Sequence, residues 1–251
     1  MMNDGRIVFA GPSLHGVDPR MLEGFEIRPP AACGDILSAA LSGARVIALI
    51  DGVFENSAAV WHKEILYALS ADITVFGAAS MGALRASECA AFGMIGVGTI
   101  YLEYARGARV ADSDVAVVHA PAELGYLPLT VALVDAEATI ARVRERGAGS
   151  EFICDRLLAA ARSLPFARRS WPNVISEAHL NAKDSLLATA AIERNELSVK
   201  GKDAKLLLET LRNVSFGARR STTKPWKFER TAFFDTLKSR VAPPRPEARF
   251  P

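Results

Sequence analysis

Short apolar runs alternate with helix-period stretches through the first half of this chain. Ile7 to Ala10, Val46 to Ile50 and Ile73 to Phe76 are the runs, and each gives way to small or polar residues. The second is apolar at every position, as expected of a strand covered on both faces of a parallel sheet. Between the runs, Asp35 to Leu41 reads as a helix closed by Gly43. From Ser57, a suitable N-cap, to about Ser70, the residues Val60, Trp61, Ile65, Leu66 and Leu69 recur at helical spacing. A third helix runs from the turn at Ser80 to about Phe92, a fourth spans Ile100 to Ala105, and Val115 to Val118 reads as a strand. From Asp135 onward the pattern is helical, near 135–146, 151–163, 176–194 and 203–211.

The order βαβαβα predicts an α/β fold, with a parallel-sheet core and helices on its faces in the N-terminal half and a mainly helical C-terminal half. The expected organisation is an α/β core over 6–125, a helical extension packed on it over 126–212, and a tail over 213–251. Open sheets of this kind bind ligands in the crevice at the carboxyl ends of their strands. That rule brings Gly11-Pro12-Ser13, Asp51-Gly52-Val53-Phe54-Glu55 and Gly77 to Gly82 to one edge.

Composition sets the context. Of 251 residues, 50% are hydrophobic and 23% charged, enough for a sizeable core. No run approaches the roughly 18 apolar residues of a membrane helix, and Asn3 and Asp4 do not suit a signal peptide, so a cytoplasmic location is expected. Cys33, Cys89 and Cys154 share no metal or disulfide spacing, and the four histidines are scattered, so neither a metal nor another cofactor is expected. Gly93, Gly96 and Gly98 follow a helix rather than a strand, which is not a dinucleotide fingerprint. The tail is basic, with nine Lys or Arg against Glu229, Asp235 and Glu247, and interleaves Trp226, Phe228, Phe233 and Phe234. It reads first as a partly ordered, solvated tail; as a docking segment it suits an acidic protein surface better than nucleic acid, because the body of the chain is acidic.

Candidate chemistry centres on Ser80. Gly77, Ala78, Ala79, Gly82 and Ala83 leave room for a sharp strand-to-helix turn that lifts the Ser80 hydroxyl clear of the backbone. The amides of Met81 and Gly82 would supply an oxyanion site. The same residues equally suit a plain helix cap. For a base, lysine usage is informative: fourteen arginines precede Lys183, but Lys63 is the only lysine there. An amine can be deprotonated by desolvation, whereas a guanidinium cannot. Lys63 is therefore either the partner of Ser80 or an ordinary surface lysine. Arg85 and Glu88, three apart, form an ion pair or a carboxylate clamp, and Asp51 and Gly52 are either a turn or a support for the site. Cys33, beside Gly34, is either a packing residue or a persulfide carrier.

Five blocks then occur in order: Phe9-Ala10-Gly11-Pro12-Ser13, Asp51-Gly52-Val53-Phe54, His62-Lys63-Glu64-Ile65-Leu66, Gly77 through Ala86, and Phe92 through Gly98. Together they resemble the TfuA-like family, with Lys200-Gly201-Lys202-Asp203-Ala204 similar to a later basic motif of that family. The resemblance implies a partner of YcaO-type enzymes in ribosomal peptide thioamidation. Its implied activity is release of sulfide from the C-terminal thiocarboxylate of a ThiS-like carrier protein, with the precursor peptide engaged indirectly. It also implies a Ser/Lys pair that falls here on Ser80 and Lys63, and an unusual topology. The alternative is a non-enzymatic docking subunit of the YcaO enzyme.

Overall fold

The computed structural model describes residues 5–53, 57–213 and 224–241. Five parallel strands form one sheet: β1 (Arg6–Phe9), β2 (Glu26–Arg28), β3 (Val46–Leu49), β4 (Thr74–Ala78) and β5 (Ile95–Val97), in the spatial order β2-β1-β3-β4-β5. The chain thus moves outward from β1 in one direction, returns, and builds the rest of the sheet on the other side. The crevice where the order reverses lies between the ends of β1 and β3, beside Gly11-Pro12-Ser13 and Asp51-Gly52.

Alternation along the strands assigns the two faces. Ile7, Phe9, Ile47, Leu49 and Val75 pack with α1 (Asp35–Leu41), α2 (His62–Ser70) and α3 (Met81–Cys89). Val8, Val46, Ala48, Ile50 and Phe76 pack instead against Ala204, Leu207, Leu208 and Leu211. Those four belong to α9 (Val199–Asn213), so a helix from the far end of the chain closes the second face. A separate helical core joins α5 (Leu133–Glu145), α6 (Glu151–Ser163), α7 (Trp171–Glu177) and α8 (Ala182–Asn195). Residues Ala83, Ile100, Tyr104, Val115 and Val134 connect it to the sheet by way of α4 (Thr99–Ala105).

The α/β fold with a helical second half agrees with the sequence pattern, but several local elements differ. The helix expected from Ser57 begins at His62, where the buried Glu64 carboxylate accepts from the Trp61 amide at 3.0 Å. Val115 to Val118 forms no strand: Val115 turns through the right-handed helical region (φ -103°, ψ -5°), and the nearest pairing is the isolated bridge between His119 and Pro128. The single helix expected over 176–194 is two, because His179 takes a left-handed conformation (φ 50°) and Asn181 then caps α8. β2 and β5 are three residues each and too short to show a period. Part of the basic tail is ordered: α10 (Ala232–Val241) buries Phe234 and Leu237 on α1. Phe54, Glu55, Asn3, Asp4 and the proline-rich end lie outside the described residues.

Glycine is required where α3 crosses the end of β3. A Cβ on Gly82 would stand 1.8 Å from the Leu49 carbonyl oxygen, and one on Gly77 would stand 2.1 Å from the Gly82 oxygen. Both obstacles are backbone, so no side chain can yield. Gly82→Ala is expected to destabilise the fold by at least about 3 kcal/mol, seen as a lowered urea midpoint with an unchanged slope.

Candidate active site

Ser80 is at the turn where β4 becomes α3. The preceding residue, Ala79, has φ 66°, a left-handed conformation that few non-glycine residues adopt and that marks a stressed turn. The Ser80 amide folds back to the Ala78 oxygen at 2.8 Å. Although Ser80 occupies the N-cap position, its hydroxyl makes no capping bond and instead donates to the Val115 carbonyl at 3.3 Å. The residue is 3% exposed and lines a cavity of about 370 Å3.

The same carbonyl is the acceptor for Lys200. Its Nζ donates to Val115 O at 2.7 Å, and the residue is 3% exposed. Burial pushes the amine below the ordinary lysine range, against the opposing pull of Asp51 and Asp135. Position follows from the α9 terminus, where the Asp135 carboxylate accepts from the amides of Val199 at 2.7 Å and Lys200 at 3.1 Å. One residue turn further, Asp203 accepts from Thr99 and Ile100 and so caps α4. The Lys200 to Ala204 stretch thus supplies one amine to the cavity and one cap to a neighbouring helix.

Asp51 fixes the floor. Its Oδ2 accepts from the amides of Gly11 at 2.9 Å and Ser13 at 3.0 Å, and its Oδ1 from the Ser13 hydroxyl at 2.7 Å. These three bonds lock the crevice between β1 and β3, and Asp51 and Gly52 both line the Ser80 cavity. Of the expected oxyanion donors, the Gly82 amide is committed to the Ile50 carbonyl at 3.1 Å. The Met81 amide has no acceptor among the described residues.

Lys63 lies elsewhere. Its Nζ sits 5.2 Å from the centre of the Phe228 ring, and it is not among the residues that line the Ser80 cavity. The later start of α2 puts Lys63 in the first helical turn, under the segment that leads to α10. Arg85 and Glu88 do pair, at 2.7 Å, and His62 joins them through a 2.8 Å contact to the same Glu88 oxygen. Cys33 is half-buried, and burial together with Glu64 pushes its thiol up to about 11, which leaves little thiolate for persulfide chemistry. Among the described residues, no group of His, Cys, Asp and Glu is placed to hold a metal ion, and no helix is long and apolar enough to cross a membrane.

Residues 51–170 match the model of the TfuA-like protein family. Over that span the chain is similar to that family. The matched segment carries Asp51, Lys63, Ser80, Arg85, Glu88 and Val115, while Lys200 lies beyond it. No curated protein matches the chain.

His119 and Phe166 also line the cavity, and neither stands out in the sequence. Lys200 had a readable signal: with Ala204, Leu207, Leu208 and Leu211 it falls on one helical stripe, and a lysine on an apolar stripe is a buried lysine. The folded chain therefore releases the Lys200 proton at lower pH than the unfolded chain does. Between those two values the unfolded state binds more protons, so stability rises with pH in the window below the ordinary lysine value. Lys200→Met is expected to flatten that rise, read as urea-unfolding free energies compared at about pH 7 and about pH 9.

Proposed function

We propose that this protein is a Ser/Lys hydrolase that releases sulfide from the C-terminal thiocarboxylate of a small ThiS-like carrier, for YcaO-dependent thioamidation of a ribosomal peptide. The TfuA-like segment supports the YcaO-associated setting. The observation that carries the chemistry is the convergence of the Ser80 hydroxyl and the buried Lys200 amine on one carbonyl oxygen, that of Val115. Lys200 then takes the base role that lysine usage and the family resemblance give to Lys63.

In this reading the Ser80 hydroxyl leaves Val115 by rotation about its side-chain bond and attacks the thiocarboxyl carbon. Neutral Lys200 accepts its proton as the C–O bond forms. The free Met81 amide, at the N-terminus of α3, holds the oxyanion. The C–S bond breaks, the proton passes from Lys200 to sulfur, and hydrosulfide departs. Water then attacks the acyl-Ser80 ester with Lys200 as base, releasing the carrier carboxylate and restoring Ser80. Burial of Lys200 shifts it toward the neutral amine that the base role requires.

Sulfide release from a purified thiocarboxylated carrier tests the assignment. Ser80→Ala and Lys200→Met are each expected to lower kcat by at least about 1,000-fold. Lys63→Ala is expected to stay within about threefold of the unsubstituted protein. Loss of release with Lys63→Ala and not with Lys200→Met would reverse the roles of the two lysines. A pure protein that releases no sulfide until the YcaO partner is added would favour the docking-subunit reading.

A further inference from the structure

The Ser80 cavity does not end at Ser80. Val53 and Phe166 line both it and a second cavity of about 210 Å3, so the two adjoin at these residues. Met81, Leu84 and Arg85, on one face of α3, floor the second part, and Asp112 and Ser113 stand across it. Arg85 is built in rather than loose. Its Nε donates to the Val60 carbonyl at 3.0 Å, its Nη1 donates to Glu88 at 2.7 Å, and its side chain is only 14% exposed. Nη2 has no acceptor among the described residues, and Arg85 lines the second cavity.

Distance decides what Arg85 can hold. At 1.5 Å rise per residue, it stands about 7.5 Å along α3 from Ser80, and its guanidinium, tied to Val60 and Glu88, belongs to the second cavity and not to the Ser80 cavity. Helical side chains lean toward the N-terminus, which leaves a gap equal to one or two residues of extended chain at about 3.3 Å each.

We propose that the joined groove receives the extended C-terminal segment of a protein substrate, with the terminal carbonyl at Ser80 and an upstream backbone carbonyl accepting from Arg85 Nη2. This rests on the hydrolase reading for the chemistry but not for the binding. Arg85 is then the residue that selects a polypeptide tail over a small thioacid. Glu88 and Val60 hold the guanidinium in place, so binding requires little further ordering of the side chain.

The test compares two probes, N-acetyl-trialanine thiocarboxylate and thioacetate, by sulfide release. It also measures binding of the N-acetyl-trialanine carboxylate by calorimetry. The unsubstituted protein is expected to favour the peptide thioacid in kcat/KM. Arg85→Gln is expected to reduce that preference, and to raise the Kd of the carboxylate, by about tenfold or more. Ala59→Phe, which fills the second cavity and keeps the guanidinium, is expected to reduce the preference as well. Unchanged preference and unchanged Kd in both variants would overturn the groove and leave the hydrolase reading standing. A protein that hydrolyses neither probe, yet loses carboxylate binding on Arg85→Gln, would keep the groove and remove the hydrolase.

Discussion

Everything at this site depends on how closely α3 approaches the end of β3. With no side chain on Gly82, the helix backbone rests against the Leu49 carbonyl and its amide reaches the Ile50 oxygen. Gly77 removes the remaining obstacle on β4. That contact forces the chain from strand to helix within two residues, strains Ala79, and leaves the Ser80 hydroxyl facing the Val115 segment instead of capping its own helix. The positive end of α3 and the mouth of the sheet crevice are brought together by the same contact.

A second theme is the use of buried carboxylates as long-range ties. Asp51 closes the loop after β1, Glu64 caps α1 through Gly34 and Leu37, Asp135 caps α9, and Asp203 caps α4. Each joins segments far apart in sequence through bonds from backbone amides to an acid, worth about 1.5–3 kcal/mol apiece. Two of them, Asp51 and Asp135, also set the field around Lys200. They favour its charged form, and only the completeness of burial outweighs them. The amine is therefore poised between opposing influences.

Local features were legible where the period was long or the turn chemistry specific. The strands β1, β3 and β4, the helix α1 with its Gly43 stop, and the small-residue turn at Ser80 all follow from short-range rules. The short edge strands β2 and β5 offered too few residues for a period, and β5 contains Gly96 because the Tyr101 ring occupies the space of its Cβ. The site was half legible. Crevice residues Gly11, Ser13, Asp51 and Gly52 and the Arg85–Glu88 pair could be placed from the strand ends and helical spacing. The amine beside Ser80 is legible only if the last long helix begins before Lys200, because a start at 203 leaves Lys200 in a loop and off its apolar stripe. Lysine scarcity then pointed to Lys63, whose surroundings are set by Phe228 and α10, elements with no local signature of that contact.

Lys200 sits in the first turn of the helix that covers the second face of the sheet. Ser80 is thus synthesised early and Lys200 late, and the two meet at the Val115 carbonyl only when α9 docks. A chain emerging from the ribosome, or one cut between α8 and α9, holds Ser80 without Lys200 and with half of the sheet uncovered. Under the proposed hydrolase reading, sulfide release would report completion of folding, and a partly folded molecule would be chemically silent.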